Sequence, residues 1–200
     1  MRAKKRVWCR GFALLVALSL AAAGVLAGQS FAASKEQTDD AAGFQEFSGR
    51  VEEYLKLHKT IEKRLPALKN KEELPEMIAA HQQALARKIR EARPNARPGD
   101  IFTRAAREAF RHAIRSVFQD RPEAAAVRST IRQRDTDKPV RLRVNGIYPD
   151  AIAETTFPPT LLQKLPILPD ELAYRIAGRD LVLVDRRANL VVDLLHEALP

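Results

Sequence analysis

The spacing of apolar residues changes once along this chain, and that change limits the folds open to it. Up to about residue 131 the apolar positions recur at three- and four-residue steps, whereas from Val140 they recur at two. The first spacing lines one face of a helix and the second one face of a strand. A chain ordered this way is α+β, a mostly helical N-terminal part followed by a small C-terminal antiparallel β-meander.

Within the helical part, residues 43–134, the first stripe is Phe44, Phe47, Val51, Tyr54, His58, Ile61 and Leu65. Pro66 closes it, because proline lacks the donor that the helical ladder needs. After the polar connection KNKEE, a second stripe runs through Leu74, Ile78, His81, Leu85, Lys88 or Ile89, and Ala92, with Pro75 tolerated in the first turn. Folding the chain back so that Leu65 meets Leu74 sets Ile61 against Ile78, His58 against His81, Tyr54 against Leu85 and Phe47 against Ala92. The expectation is an antiparallel helical hairpin with a coiled-coil-like seam. RPNARPGD (93–100) is turn chemistry. A third helix starts at Thr103, whose hydroxyl can cap it, and buries Ala106, Phe110, Ala113, Ile114 and Val117. A shorter fourth helix follows near Asp120, with Glu123 in capping-box position and Ala126, Val127 and Ile131 facing inward.

Residues 135–200 form the β region, expected to pack with the helices as one domain. Val140, Leu142 and Val144 alternate with arginines before an Asn145-Gly146 turn. Prolines punctuate residues 148–169, where LLQKL makes a helical turn or two. AYRI and DLVLV flank Gly178-Arg179, and LVVDLL follows a turn around Arg187 and Asn189. These short connections suit antiparallel neighbours.

The N-terminus reads as a secretory signal peptide over residues 1–32. Arg2, Lys4, Lys5, Arg6 and Arg10 precede an unbroken apolar run from Gly11 to Gly28, and Ser30-Phe31-Ala32 offers small residues for cleavage. The alternative is a retained anchor. Residues 33–42 (ASKEQTDDAA) are small and polar, an expected disordered lead-in. Without the signal, 29 basic residues face 25 acidic ones, so the net charge falls from +9 to +4, and the only cysteine, Cys9, is lost. Cysteine nucleophiles, thiolate metal sites and disulfides are thereby excluded from the mature chain. No second apolar run reaches membrane-spanning length. An exported protein, periplasmic or secreted, is expected.

The segments AAHQQALARKIREARP, GDIFT, LRVNGIYPDAI, TFPPTLLQKLP and LAYRIAGRDLVLVDRRANLVVDLL resemble a group of small, exported, uncharacterised proteins of Gram-negative bacteria. The resemblance spans most of residues 77–195. The terminal segment also resembles the C-terminal β module of RcnB-like periplasmic proteins. The resemblance implies an envelope location and a β-meander; it brings no activity and no catalytic residues.

Two constellations stand out. In the hairpin register His58 faces His81, with Glu62 one turn from His58, a potential divalent-metal ligand set or a pH-sensitive layer. The competing reading is a pair of hydrogen-bonded seam residues. Residues 85–144 carry sixteen Lys/Arg against seven Asp/Glu. Arg104, Arg107, Arg111 and Arg115 share one side of the third helix, an anion-binding surface or an ordinary solvated face. The paucity of aromatics among them disfavours nucleic acid. His112 and Ser116 lie one turn apart but lack an orienting acid in sequence. No catalytic or cofactor motif is present, so neither a cofactor nor an enzymatic reaction is assigned. The expected function is an exported, non-catalytic interaction protein of the cell envelope, bound to an unknown protein or an anionic envelope component, with oligomers possible. The alternative is a metal- or pH-responsive periplasmic protein.

Overall fold

A computed structural model describes residues 23–66, 75–119, 124–125, 129, 141–149 and 157–199. The helices are α1 (Ala23–Glu62), α2 (Pro75–Ala92), α3 (Arg104–Gln119) and a single turn, α4 (Pro159–Leu162); the strands are β1 (Leu172–Ala177), β2 (Asp180–Asp185) and β3 (Leu190–Leu195). Two compact units are present, Met1–Gln37 and Thr38–Pro200, and α1 from Thr38 onward belongs to the second together with every other element. No helix among the described residues is long and apolar enough to cross a membrane. The expected signal segment falls largely outside the described residues, as do the KNKEE connection, most of the fourth helix and Val140.

The α+β architecture is as expected: helices first, then a three-stranded antiparallel sheet in the order β1-β2-β3. The first departure lies at the start, where α1 runs through residues 33–42, the segment expected to be disordered. Its alanines, glutamate and glutamine are good helix formers, and they continue a helix already under way. The apolar stripe of α1 is where its spacing puts it, with Phe47, Val51, Tyr54, His58 and Ile61 all buried. Three residues after α1, Leu65 N–H reaches the Glu62 carbonyl, a tightened last turn before Pro66.

The stripe, however, does not close on α2 in the expected register. Ile61 is buried while its intended partner Ile78 is 49% exposed, and only Leu85, Ala86 and Ile89 of α2 are buried. The rings of α1 are taken by other elements. Phe44 meets Phe110 of α3 edge-on at 5.3 Å, and Phe47 lies 4.8 Å from Phe110 and 5.3 Å from Phe102. Tyr174 of β1 completes the cluster, 5.9 Å from Phe110. Aromatic area dominates such a core and outcompetes a short leucine-isoleucine seam. On α3 every expected apolar position is buried, and Thr103 caps it as expected, accepting from Ala106 N–H at 3.4 Å.

The β1–β2 hairpin turns at Gly178-Arg179, with Leu172 opposite Asp185 and Ala177 opposite Asp180. Asn189, at φ +46°, helps turn the chain into β3. Pairing of β2 with β3 slips by one between Leu183↔Asp193 and Val184↔Val191, leaving Val192 as the extra residue of a bulge. One sheet face joins the helices through Leu172, Tyr174, Leu183, Leu190 and Val192. The other buries Val182, Val184, Val191 and Leu194 against Leu142, Val144 and Tyr148. The strand expected at 140–144 is therefore displaced. Residues 141–143 are irregular, while Asn145 N–H and Gly146 O bond to Val191 on the outer side of β3 and Tyr148 N–H to the Asn189 carbonyl just before it, with an isolated bridge from Ile147 to Leu190.

Candidate binding site

Two neighbouring features of α1 carry the polar chemistry of the interior. The first is a buried network. Asp185, the last residue of β2, points toward the helices because β2 alternates Leu181 and Leu183 on that face. Tyr54 and His58, one turn apart on α1, converge on it. Tyr54 Oη donates to Oδ2 at 2.7 Å, and His58 Nδ1 donates to the same oxygen at 2.6 Å. Oδ1 accepts the Arg187 and Ala188 N–H groups at 2.9 and 2.8 Å, which fixes the β2–β3 turn. All four bonds feed one carboxylate, as burial of that charge requires.

Glu62 lies 3.5 Å from the other imidazole nitrogen and pairs with Arg187 at 2.6 Å. Burial pulls the His58 pKa down, but the hydrogen bond and charge of Asp185, aided by Glu62 and Glu171, outweigh it and hold the imidazole above its ordinary value. With His58 as imidazolium, Asp185, Glu62 and Arg187 leave the group electrically neutral. Burial and the Asp185 charge keep Tyr54 protonated, well above the usual phenol range. The arrangement can anchor α1 to the sheet and can move with pH.

The second feature is a cleft of about 430 Å³ between α1 and the 93–103 loop, lined by Arg50, Glu53, Tyr54, Arg93 and Asp100, among others. Its loop is held by Asp193. Because the bulge turns Asp193 to the same side as Val192, its carboxylate accepts Ile101 and Phe102 N–H at 2.7 Å each and Gly99 N–H at 3.0 Å. Arg93 leaves the end of α2 beneath this loop, its Cζ 5.2 Å over the Tyr54 ring. Asn145 Nδ2 bonds the Arg93 carbonyl at 2.7 Å.

The residues singled out from sequence are placed differently. His58 and Glu62 are brought together, but the ring nitrogens of His58 face Asp185 and Glu62, not His81. Among the described residues no group of three His, Asp or Glu is arranged to hold a metal ion, so the His58, His81 and Glu62 ligand set is not assembled. The register that paired the histidines failed because Asp185, from a strand 127 residues away, takes His58 instead.

The four α3 arginines differ in exposure and in partners. Arg104 pairs with Glu108 at 3.2 Å, and Arg111 donates to the His196 carbonyl at 3.1 Å. Arg107 is half-buried, and only Arg104 and Arg115 are exposed. His112 does have an acid, Asp40 of α1, while Ser116 gives its proton to the Ala113 carbonyl at 2.8 Å and not to His112. Reasoning from sequence missed Asp185, Asp193 and Arg93. The available signal was a carboxylate inside VVDLL, where four apolar neighbours demand that a charge find internal donors. Comparison with protein-family models, with curated proteins and with solved structures returns no match to this chain.

Proposed function

We propose that this chain is an exported, non-catalytic interaction protein of the cell envelope that takes up an extended segment of a partner protein along β1. Export is supported by the basic cluster and apolar run before residue 32. The interaction reading rests on one observation: a groove of about 340 Å³ beside β1, lined by Phe157, Leu162, Pro166 and Ile167 among others. Ile167 stands in it 99% exposed and Leu162 49% exposed. Apolar side chains gathered at one strand edge mark a contact surface more than the same residues scattered singly.

Among the described residues β1 is the terminal strand, whereas β3 already carries the turn segment 145–148 on its outer side. A partner segment would add along β1, with alternate apolar side chains entering the groove. The test is a photoreactive residue at position 167 in cells expressing the full chain, with position 88 on α2 as control. A discrete adduct with one partner from 167 and none from 88, abolished by Leu162→Asp, supports the reading. Equal or absent adducts at both positions overturn it. A second reading, a pH-responsive envelope protein, is supported by the buried His58–Asp185 pair.

A further inference from the structure

We propose that the cleft between α1 and the 93–103 loop binds a small ligand carrying one carboxylate and one amine, the chemistry shared by a free amino acid and a short peptide. The inference starts from Arg93, a cation only 13% exposed. A guanidinium offers five N–H donors. Among the described residues, those of Arg93 reach only the Val192 carbonyl, with Nη1 and Nη2 both at 3.4 Å. That is the outer limit of a hydrogen bond, and the nearest carboxylate, Asp100, stands 3.9 Å away. A partly buried cation with its donors so poorly met fits a carboxylate, which accepts two parallel N–H bonds from the fork.

The rest of the lining selects the other half of the ligand. Arg50 is already paired with Glu53 at 3.2 Å, and Asp100 accepts Arg97 N–H at 3.1 Å. Two cations and two carboxylates line the cleft, so a lone anion meets no net positive field, whereas a zwitterion satisfies Arg93 at one end and Glu53 or Asp100 at the other. Tyr54, Leu57 and Ile101 supply the apolar wall between them. The loop is preorganised, since the buried Asp193 carboxylate fixes Gly99, Ile101 and Phe102 before any ligand arrives. This site is separate from the groove at β1.

The experiment is an amide NMR titration of nitrogen-15-labelled protein, purified from cells expressing the full chain. The probes are leucyl-glycine, its C-terminal amide, its N-acetyl form and free leucine. Saturable shifts at Tyr54, Gly99, Asp100 and Thr103 are expected with leucyl-glycine or leucine. The amide and the N-acetyl form should bind about tenfold or more weakly. Binding of leucine alone identifies the ligand as a free amino acid, and binding of the dipeptide alone as a peptide. Arg93→Lys keeps the charge but loses the fork, and weakens binding about tenfold. Arg50→Glu, at the exposed mouth where folding is not at stake, weakens it as well. No saturable shift up to about 10 mM, equal binding of the amide and acid forms, or unchanged affinity in both variants overturns the proposal.

Discussion

Replacing Asp185 separates two roles that one carboxylate performs, holding a turn and holding a charge. In Asp185→Ala, three fully buried donors lose their acceptor: the Tyr54 hydroxyl, His58 Nδ1 and Ala188 N–H. At about 1–3 kcal/mol for each stranded donor the loss is about 3–9 kcal/mol, a large part of a stability of about 5–15 kcal/mol. Asp185→Asn is expected to behave otherwise. Its carbonyl keeps the two turn amides. Its NH₂ offers two hydrogens to two groups able to accept, the Tyr54 oxygen and the Nδ1 of a neutral His58. Only the charge-assisted part of two bonds is lost, about 2 kcal/mol.

The pH dependence should then reverse. In the parent protein the His58 value is raised, so its contribution to stability is complete below the ordinary imidazole value of about 6.5 and fades as pH rises through the folded value. In Asp185→Asn the main raising influence is gone and burial prevails. The folded value then drops, so the contribution is present above about 6.5 and fades as pH falls. The groups facing His58 are Tyr54 and Glu62 on its own helix, Asp185 and Arg187 from the sheet side, and Glu171 before β1. Glu171, held below the usual carboxylate range by its hydrogen bonds and Lys59, and Arg187, held above its ordinary value by Glu62, keep their charge between about pH 5.5 and about pH 8.5, so the difference between variant and parent reports His58. Urea unfolding followed by circular dichroism across that window measures it. Parallel pH slopes for the parent and Asp185→Asn, or an Asp185→Ala no less stable than Asp185→Asn, would refute the reasoning.

Asp193 offers a contrast, because its partners are all backbone N–H groups that cannot turn round and accept. Asp193→Asn should therefore lose about 2–6 kcal/mol, clearly more than Asp185→Asn, and hydrogen exchange should show faster exchange at Ile101 and Phe102. In α1, a Cβ added at Gly43 falls 2.6 Å from the Ala105 carbonyl oxygen and 2.9 Å from Ala109 Cβ, so Gly43→Ala forces α1 and α3 apart. A loss of about 1–3 kcal/mol is expected in urea unfolding. Gly49 has nothing within 4 Å of such an atom, so Gly49→Ala should instead stabilise by about 0.5–1 kcal/mol.

What the sequence disclosed and what it withheld follow from the range of the forces involved. The α1 stripe, the buried face of α3 and the two sheet turns are set by spacing and local backbone chemistry, and each is where Phe47, Phe110, Gly178 and Asn189 put it. The partner of a stripe is not local information. The same α1 face fits α2 by register and α3 by aromatic area, and it packs its rings on Phe102, Phe110 and Tyr174. His58 illustrates the consequence: its buried position was legible, whereas its partner, 127 residues on, was not. Asp193 was harder still. Strict alternation places it with Val191 on the far face of the sheet, and only the bulge at Val192 turns it toward the loop. A single unpaired residue thus decides whether that carboxylate meets the buried valines of the far face or the three backbone donors of the loop. The rigidity of the cleft loop, and with it the placement of Arg93, depends on that one slip in register.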